Sequence, residues 1–209
     1  MYPNEVNDLL AYEKELYQKN LKLIAGVDEV GRGPLYGPVV CAAVILPLNY
    51  KLDGLTDSKK LSEKKREAFF DIIMRDAISV SVVSRSPERI DEINIYAATK
   101  EAMIDAVYGL SPLPEHVLVD AMPLDIDIPT TSIIKGDAKS LSIAAASVIA
   151  KVTRDRMMDE VDLLHPEYGF KNHKGYPTKF HLEAIKKYGL FEGYRKSYGP
   201  VKEILEEVK

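Results

Sequence analysis

Residues 24–38 read IAGVDEVGRGPLYGP, a short apolar run that ends in two acids and leads into a glycine-rich turn. The acids are Asp28 and Glu29, and the turn contains Gly31, Arg32 and Gly33. A second run, 38–47, is apolar at almost every position, which is typical of a strand that is buried on both faces. The stretch therefore predicts two core strands, 21–30 and 38–47, with two acids at the end of the first.

The flanking sequence extends this pair into an α/β pattern. Residues 78–84 alternate like a third strand, and 116–120 and 131–137 read as two short strands. Ser62 is a predicted N-cap in a helical stretch at 56–75, and Pro87 opens a predicted helix through about Val107. Further helices are predicted at 5–19, 139–164, 178–188 and 201–208, with turns at 165–177.

Short connections allow the first three strands to pair as an antiparallel meander, whereas the helical crossover before the fourth allows it to lie parallel to the first. We therefore expect a mixed five-stranded sheet flanked by helices. Asp120 ends the fourth strand, and Asp137 closes the fifth. Because ligands gather at the carboxyl ends of parallel strands, Asp28 and Asp120 are expected to converge. Glu29 points to the other face of its strand and joins them only if the strand bends.

Four carboxylates in one place repel one another and would take up protons unless a cation lay between them. Oxygen ligands without cysteine or clustered histidine suit Mg²⁺ or Mn²⁺. Two such ions can stabilise the attacking and leaving oxygens of a phosphodiester. The alternative is that each acid is simply solvated at the end of its strand.

The amino-acid composition limits which kinds of protein this chain can be. The 209 residues are 46% hydrophobic, which suits one globular domain, and the net charge of −4 gives no overall basic footprint for nucleic acid. The single cysteine, Cys41, excludes a disulfide within the chain and favours a reducing compartment. The N-terminus lacks the apolar core of a signal peptide, and no apolar run reaches the length of a membrane span. These features predict a soluble, cytoplasmic protein.

Two motifs near the turn are incomplete. Gly26 and Gly31 are spaced as in a phosphate-binding loop, but the lysine and hydroxyl residue of that loop are missing, and the acids would repel phosphate. The dinucleotide motif also lacks its third glycine. His165, His173 and His181 are eight residues apart and do not share a helix face, so surface or substrate-contacting roles are expected rather than a metal site.

Longer motifs resemble bacterial ribonuclease HII, the type 2 ribonuclease H. They run in family order over about 21–201: GVDEVGRGPLYGPVV, DSKKLS (57–62), VLVDAMPL (117–124), IIKGDAKSLSIAAASVIAKVTRDRMM (133–158), HKGYPTKFHLEAIKKYG (173–189) and YRKSYGPV (194–201). The resemblance implies a ribonuclease H-like core at about 20–164 and a C-terminal helical extension at about 165–209. It also implies metal-dependent cleavage of RNA paired with DNA, including single ribonucleotides embedded in duplex DNA.

By this resemblance, the metal-binding and catalytic acids are Asp28, Glu29, Asp120 and Asp137. Gly31, Arg32 and Gly33 match the loop that reads the ribose 2′-hydroxyl through backbone groups, and Tyr176 matches a tyrosine that packs on the following sugar. Only RNA offers this hydroxyl, and small glycines let the backbone approach it. Lys59 and Lys60 match a phosphate-contacting segment, and Lys174 flanks the tyrosine motif.

The chain departs from the family pattern at three positions. Tyr36 stands where Ala is commoner, and Lys196 and Tyr198 replace the usual Arg and Phe of the tail. These departures affect local packing and tail contacts but leave the four acids in place. The basic Gly31–Arg32–Gly33 turn favours ribonuclease HII over the related ribonuclease HIII.

The expected partners are RNA–DNA hybrid and ribonucleotide-containing duplex DNA, bound by a monomer. The tail EILEEVK lacks the aromatic pair that would indicate a sliding-clamp partner. Two rival functions are a resolvase-like nuclease of the same fold, which would cut all-DNA substrates, and a hybrid binder without catalysis.

Overall fold

A mixed five-stranded sheet organises the computed structural model, which describes residues 8–55, 58 and 61–207. The strands are β1 (Ile24–Val30), β2 (Val39–Ile45), β3 (Ser79–Arg85), β4 (His116–Asp120) and β5 (Thr130–Ile133). Their spatial order is β3-β2-β1-β4-β5. The pairs β1–β2 and β2–β3 are antiparallel, whereas β1–β4 and β4–β5 are parallel. The predicted meander with a parallel fourth strand is confirmed.

Helices cover both faces of this sheet. They are α1 (Ala11–Tyr17), α2 (Glu63–Asp76), α3 (Pro87–Ile93), α4 (Ile95–Tyr108), α5 (Leu141–Leu164), α6 (Phe170–His173), α7 (Lys179–Tyr188) and α8 (Gly199–Glu207). Alternate residues of β2 pack against α5 on one face and against α4 on the other, which explains why the whole strand is apolar. In the part of the chain that the structure describes, no helix is long and apolar enough to cross a membrane.

Side-chain caps set several helix starts, because the first N–H groups of a helix lack partners within it. The Ser62 hydroxyl accepts a hydrogen bond from Lys65 N, which confirms the predicted N-cap of α2. Thr178 caps α7 in the same way by accepting from His181 N.

Two predicted boundaries were wrong. The single helix expected from Pro87 to Val107 is broken at Asn94, whose φ of 69° ends α3 and whose side chain caps α4 by accepting from Ala97 N. The fifth strand ends at Ile133 instead of 137, so Asp137 lies in a short 3-10 turn, Gly136–Ala138, ahead of α5.

The C-terminal helices share a separate apolar cluster that includes Leu35, Tyr168, Phe170 and Tyr194. The surface role expected for the histidines is wrong for His173 and His181, which are 8% and 0% exposed. Their rings stack at a centroid distance of 4.2 Å. A neutral imidazole packs like an aromatic ring, and sequence spacing alone does not reveal this.

Candidate active site

The strand register places two of the predicted acids side by side. Val27 of β1 pairs with Val119 of the parallel strand β4, so Asp28 and Asp120 are the next residues of adjacent strands. Ile24 and Leu118 share a cluster with Ile143 of α5. Because side chains alternate along a strand, Asp28 and Asp120 face the same side as these residues, toward α5. Their predicted convergence therefore follows from the sheet itself.

Asp28 lies in surroundings that oppose a negative charge. Its side chain is buried, and burial raises the pKa of its carboxyl well above the usual value, with further increases from the charges of Glu29 and Asp120. The Ser147 hydroxyl and the Glu29 N–H, which donates at 2.7 Å, partly offset this rise. The Ser147 hydroxyl is also 2.8 Å from that of Ser58.

The Glu29 side chain lies on the face of β1 that is opposite to Asp28, and Glu29 pairs with Cys41 of the neighbouring strand β2. Burial raises the pKa of its carboxyl, the nearby Arg32 lowers it, and the charge of Asp120 raises it again. One guanidinium nitrogen of Arg32 lies 3.5 Å from the Glu29 carboxylate. Glu29 thus interacts electrostatically with Asp120, although strand alternation points its side chain away from Asp28.

The turn before α5 links the two remaining acids. Gly136 N donates to Asp120 Oδ1 at 2.6 Å, and the next residue, Asp137, is 6% exposed. A Cβ at position 136 would lie 2.6 Å from Ile143 Cδ1 and 3.3 Å from Asp120 Oδ1, so glycine allows this close approach without displacing either side chain. Asp137 is consequently brought next to the Asp120 position by the backbone of the turn.

The chemistry of these side chains fits a divalent cation. They offer carboxylate oxygens and they are largely buried, and the Arg32 guanidinium forms an ion pair with Glu29. Within the described ranges, however, no three His, Cys, Asp or Glu side chains are placed so that they could share one ion. Binding would therefore require the carboxylates to turn toward one another, which their repulsion opposes until positive charge arrives.

The glycine turn lies beside Tyr176. Gly31 has φ +89°, and a Cβ there would be 2.2 Å from Arg154 Nε, so a side chain has no room. A Cβ at Gly33 would be 3.2 Å from the Tyr176 ring, which is 43% exposed. The turn and the tyrosine that the sequence selected are thus brought together in space, as parts of one exposed surface.

Of the three predicted phosphate-contacting lysines, the structure describes only Lys174. Lys59 and Lys60 lie outside the described residues. The Lys174 ammonium pairs with Asp159, and its side chain is 15% exposed, so it is not a free surface cation in this structure.

Sequence reasoning missed four residues that contact the predicted site: Ser147, Arg154, Arg195 and Tyr198. Ser147 lies on the small-residue face of α5, and a serine hydroxyl among alanines could have indicated a polar contact there. The sequence gave no such indication for the two arginines, because arginine is usually a surface residue and their contacts are distant in sequence.

Comparison with known proteins agrees with this geometry. The family model of ribonuclease HII matches residues 25–198. A ribonuclease HII from Bacillus mycoides is 60% identical over 96% of this chain and 78% of its own length, and one from Bacillus cytotoxicus is 59% identical over 95% and 77%. The crystal structure of ribonuclease H2 from Pyrococcus horikoshii superposes with a TM-score of 0.76, at 29% identity, over 88% of this chain and 97% of that one.

The family-model match covers the sheet, the glycine turn and the C-terminal helices α6 and α7. Ribonucleases H depend on divalent metal ions, which agrees with the carboxylate oxygens at the strand ends. The chain therefore belongs to the ribonuclease HII family and is a type 2 ribonuclease H, an endoribonuclease that acts on RNA paired with DNA.

Proposed function

We propose that this enzyme cuts on the 5′ side of a ribonucleotide in duplex nucleic acid, including a single ribonucleotide embedded in DNA, and leaves 3′-hydroxyl and 5′-phosphate ends. Its role would be the removal of ribonucleotides from DNA. The observation that carries the proposal is that buried Asp28 and Asp120 lie side by side at the ends of parallel strands, beside a turn in which Gly31 has no room for a side chain.

The residues that would hold the ions are Asp28, Glu29, Asp120 and Asp137. Bound divalent cations would supply activation of the attacking water and stabilisation of the leaving 3′-oxygen. Asp120 is oriented by the Gly136 N–H, and Asp28 by the Ser147 hydroxyl, so both carboxylates have supports that leave other oxygen lone pairs free for ligands. No covalent intermediate is needed in this proposal.

The sugar would be recognised by the turn Gly31–Arg32–Gly33 and by Tyr176. Backbone groups at the turn can approach a 2′-hydroxyl closely, and a site that pairs a hydroxyl discriminates strongly against substrates that lack it. The exposed Tyr176 ring, next to Gly33, offers an apolar face for the following sugar.

The proposed metal is Mn²⁺ or Mg²⁺, because all four ligands are carboxylates. Bst-RNase HIII, a protein with the same fold at 17% identity and a TM-score of 0.66, has a crystal structure in complex with Mn²⁺. Lys59, Lys60 and Lys174 are proposed phosphate contacts. For Lys174 this requires release from Asp159, which an approaching phosphate would favour by competing for the ammonium.

We propose that the enzyme works as a monomer. A ribonuclease HII from Archaeoglobus fulgidus, 27% identical with a TM-score of 0.72, has been solved in complex with PCNA. In the present chain the stretch EILEEVK lacks an aromatic pair, and no sliding-clamp partner is evident from it. A higher cleavage rate on adding a sliding clamp to the purified protein would identify the clamp as a partner.

The test uses a duplex that carries one ribonucleotide, incubated with Mn²⁺, Mg²⁺ or a chelator, and compared with an all-DNA duplex of the same sequence. We expect a single cut on the 5′ side of the ribonucleotide with either metal and none with the chelator. Cleavage of the all-DNA duplex would favour the resolvase-like alternative. Binding without cleavage in both metals would favour the non-catalytic alternative.

A further inference from the structure

Two arginines are buried without an ionic partner. Arg154 is 1% exposed and Arg195 is 0% exposed, and among the described residues neither forms an ion pair. Burial lowers the pKa of both guanidinium groups, for Arg154 to about 10. A buried cation is costly unless its donors are satisfied, so the groups that accept from these side chains are held strongly in place.

Nearly all the acceptors are carbonyls of the glycine turn and the residues that follow it. Arg195 donates to Gly31 O at 2.6 Å, to Arg32 O at 2.9 Å, and twice to Gly37 O at 3.0 and 2.8 Å. Arg154 donates to the carbonyls of the same loop and of the segment before Tyr176: Tyr36 O, Pro38 O and Lys174 O.

Tyr198 completes the contact at the turn. Its hydroxyl donates to Arg32 O and accepts from Arg195 Nη1 at 3.0 Å. The segment that carries both residues is anchored from outside, because the Asp91 carboxylate accepts from Lys196 N at 2.8 Å and from Ser197 N at 2.9 Å. Asp91 therefore holds in place the segment that brings Arg195 and Tyr198 against the turn.

The orientation of these carbonyls decides where the turn's N–H groups point. In a planar trans peptide, the C=O of one residue and the N–H of the next point in opposite directions. Because Gly31 O and Arg32 O face Arg195, the N–H groups of Arg32 and Gly33 face away from it. Residues 32 and 33 are exposed, and in the described part of the chain neither N–H has a hydrogen-bond partner.

We propose that Arg195 and Tyr198 are positioning residues for sugar recognition: by holding two successive carbonyls inward, they aim two backbone N–H donors at an acceptor oxygen of the ribonucleotide beside Tyr176. This inference rests on the proposed function. The cation also polarises both peptide groups, which strengthens their N–H donors. Neither side chain touches the substrate in this arrangement.

The test compares Tyr198→Phe and Arg195→Lys with the wild-type enzyme. The first variant removes one hydroxyl without changing the ring, and the second keeps the charge but loses the planar fork. Tyr168→Phe is the matched control, because that buried hydroxyl donates to Gly189 O in the same extension and does not contact the turn. Thermal unfolding midpoints report on folding of each protein.

Two kinetic quantities separate positioning from a loss of folded enzyme: KM for a duplex with one ribonucleotide, and the inhibition constant of an all-DNA duplex used as a competitor. Loss of one hydrogen bond at the turn should raise KM in Tyr198→Phe and lower kcat/KM by about 3- to 10-fold. Arg195→Lys should lower kcat/KM by about 100-fold, since several bonds are lost. The inhibition constant of the all-DNA duplex should stay within about twofold in both variants, because phosphate contacts are unchanged.

An unchanged KM in folded Tyr198→Phe would overturn the inference, as would an equal change in Tyr168→Phe. If Arg195→Lys fails to fold, the Tyr198→Phe result alone decides. If the wild-type enzyme does not distinguish the ribonucleotide duplex from the all-DNA duplex, the proposed function fails and this inference fails with it.

Discussion

At the scale of single residues, Asp28 combines an energetic cost to the fold with its proposed role as a metal ligand. Its carboxyl is buried next to two other acids, and its pKa is raised by burial and by their charges. The group is thus unfavourable for the folded protein at neutral pH when no cation is bound. A residue that weakens the fold in this way is typical of a functional site, because its cost is repaid only when a ligand binds.

The first prediction concerns this cost. Asp28→Asn should abolish cleavage, and with a chelator present it should raise the thermal midpoint by about 2–5 °C, because a buried charge and its repulsion by Glu29 are removed. Asp125→Asn, an exposed acid in the loop after β4, is the control and should change neither quantity. A midpoint that falls in Asp28→Asn would show that the carboxylate stabilises the fold.

The second prediction concerns Tyr176. If its ring packs on a sugar, Tyr176→Ala should lower kcat/KM on a single embedded ribonucleotide by about 10- to 100-fold, in line with the burial energy of an aromatic side chain. Tyr176→Phe keeps the ring and should stay within about threefold of wild type. Equal losses in both variants would assign the role to the hydroxyl instead, and wild-type rates in Tyr176→Ala would remove the residue from the site.

At the scale of elements, α1 supports the start of α5. Leu141 N donates to Leu9 O at 2.7 Å, and Glu13 Oε1 accepts from Ser142 N at 3.0 Å and from the Ser140 hydroxyl at 2.6 Å. The N–H groups of Leu141 and Ser142 are thus satisfied by Leu9, which precedes α1, and by Glu13 of α1, as helix termini require. Since Asp137 lies three residues before Ser140, this contact also holds the turn that carries the acid.

The third prediction tests that support. Glu13 is fully buried, so Glu13→Ala leaves the Ser142 N–H and the Ser140 O–H without their acceptor and should lower the free energy of unfolding by about 2–4 kcal/mol in urea titrations. Glu13→Gln keeps an acceptor oxygen and should cost about 1 kcal/mol. The control is Glu15→Ala on the exposed side of the same helix. A change below 0.5 kcal/mol in Glu13→Ala, within the roughly ±0.5 kcal/mol of ordinary surface substitutions, would contradict the assigned role.

At the scale of the whole molecule, the C-terminal extension is fastened to the glycine loop of the core. Leu35 N donates to Gly175 O at 2.8 Å, Gly37 N donates to Gly193 O at 2.9 Å, and Arg195 N donates to Leu35 O at 2.9 Å. His181 Nδ1 contacts Tyr176 O at 2.9 Å, and its Nε2 contacts the Tyr194 hydroxyl at 2.9 Å. Packing of these C-terminal segments and the geometry of the proposed sugar-contacting surface are therefore linked.

The fourth prediction is a pH dependence of stability. Burial lowers the pKa of His181 to about 4 and also lowers that of His173. A folded-state pKa below the unfolded value of about 6.5 means that the unfolded chain binds more protons between these values. Stability should therefore fall as the pH drops from about 6.5 toward 4, by roughly 2 kcal/mol at pH 5 from His181 alone.

Urea unfolding at pH 7.5 and 5 measures this fall. His181→Gln should reduce it, because the amide does not titrate, whereas His165→Gln, which changes a half-exposed ring, should not. Asp28 and Glu29 titrate with the opposite sign in all three proteins and cancel in the comparison. Equal pH dependence in His181→Gln and wild type would exclude His181 as the cause.

The sequence by itself determined the order of the strands along the chain, the antiparallel meander of the first three, the parallel pairing of the fourth with the first, and the strand ends at which Asp28 and Asp120 lie. These features follow from local periodicity, from the lengths of connections and from caps such as Ser62, all of which act over a few residues. The family motifs then identified the enzyme class. The break at Asn94 was missed because an asparagine with positive φ looks like any polar residue of a helix.

Only the tertiary structure decided which surroundings each side chain meets. It buried His173 and His181 against each other, and it directed the cation of Arg195 onto the carbonyl of Gly31, 164 positions earlier in the chain. The physical reason is that a buried polar group is satisfied by whichever partners the folded chain brings near it, and these contacts leave no periodic trace in the sequence.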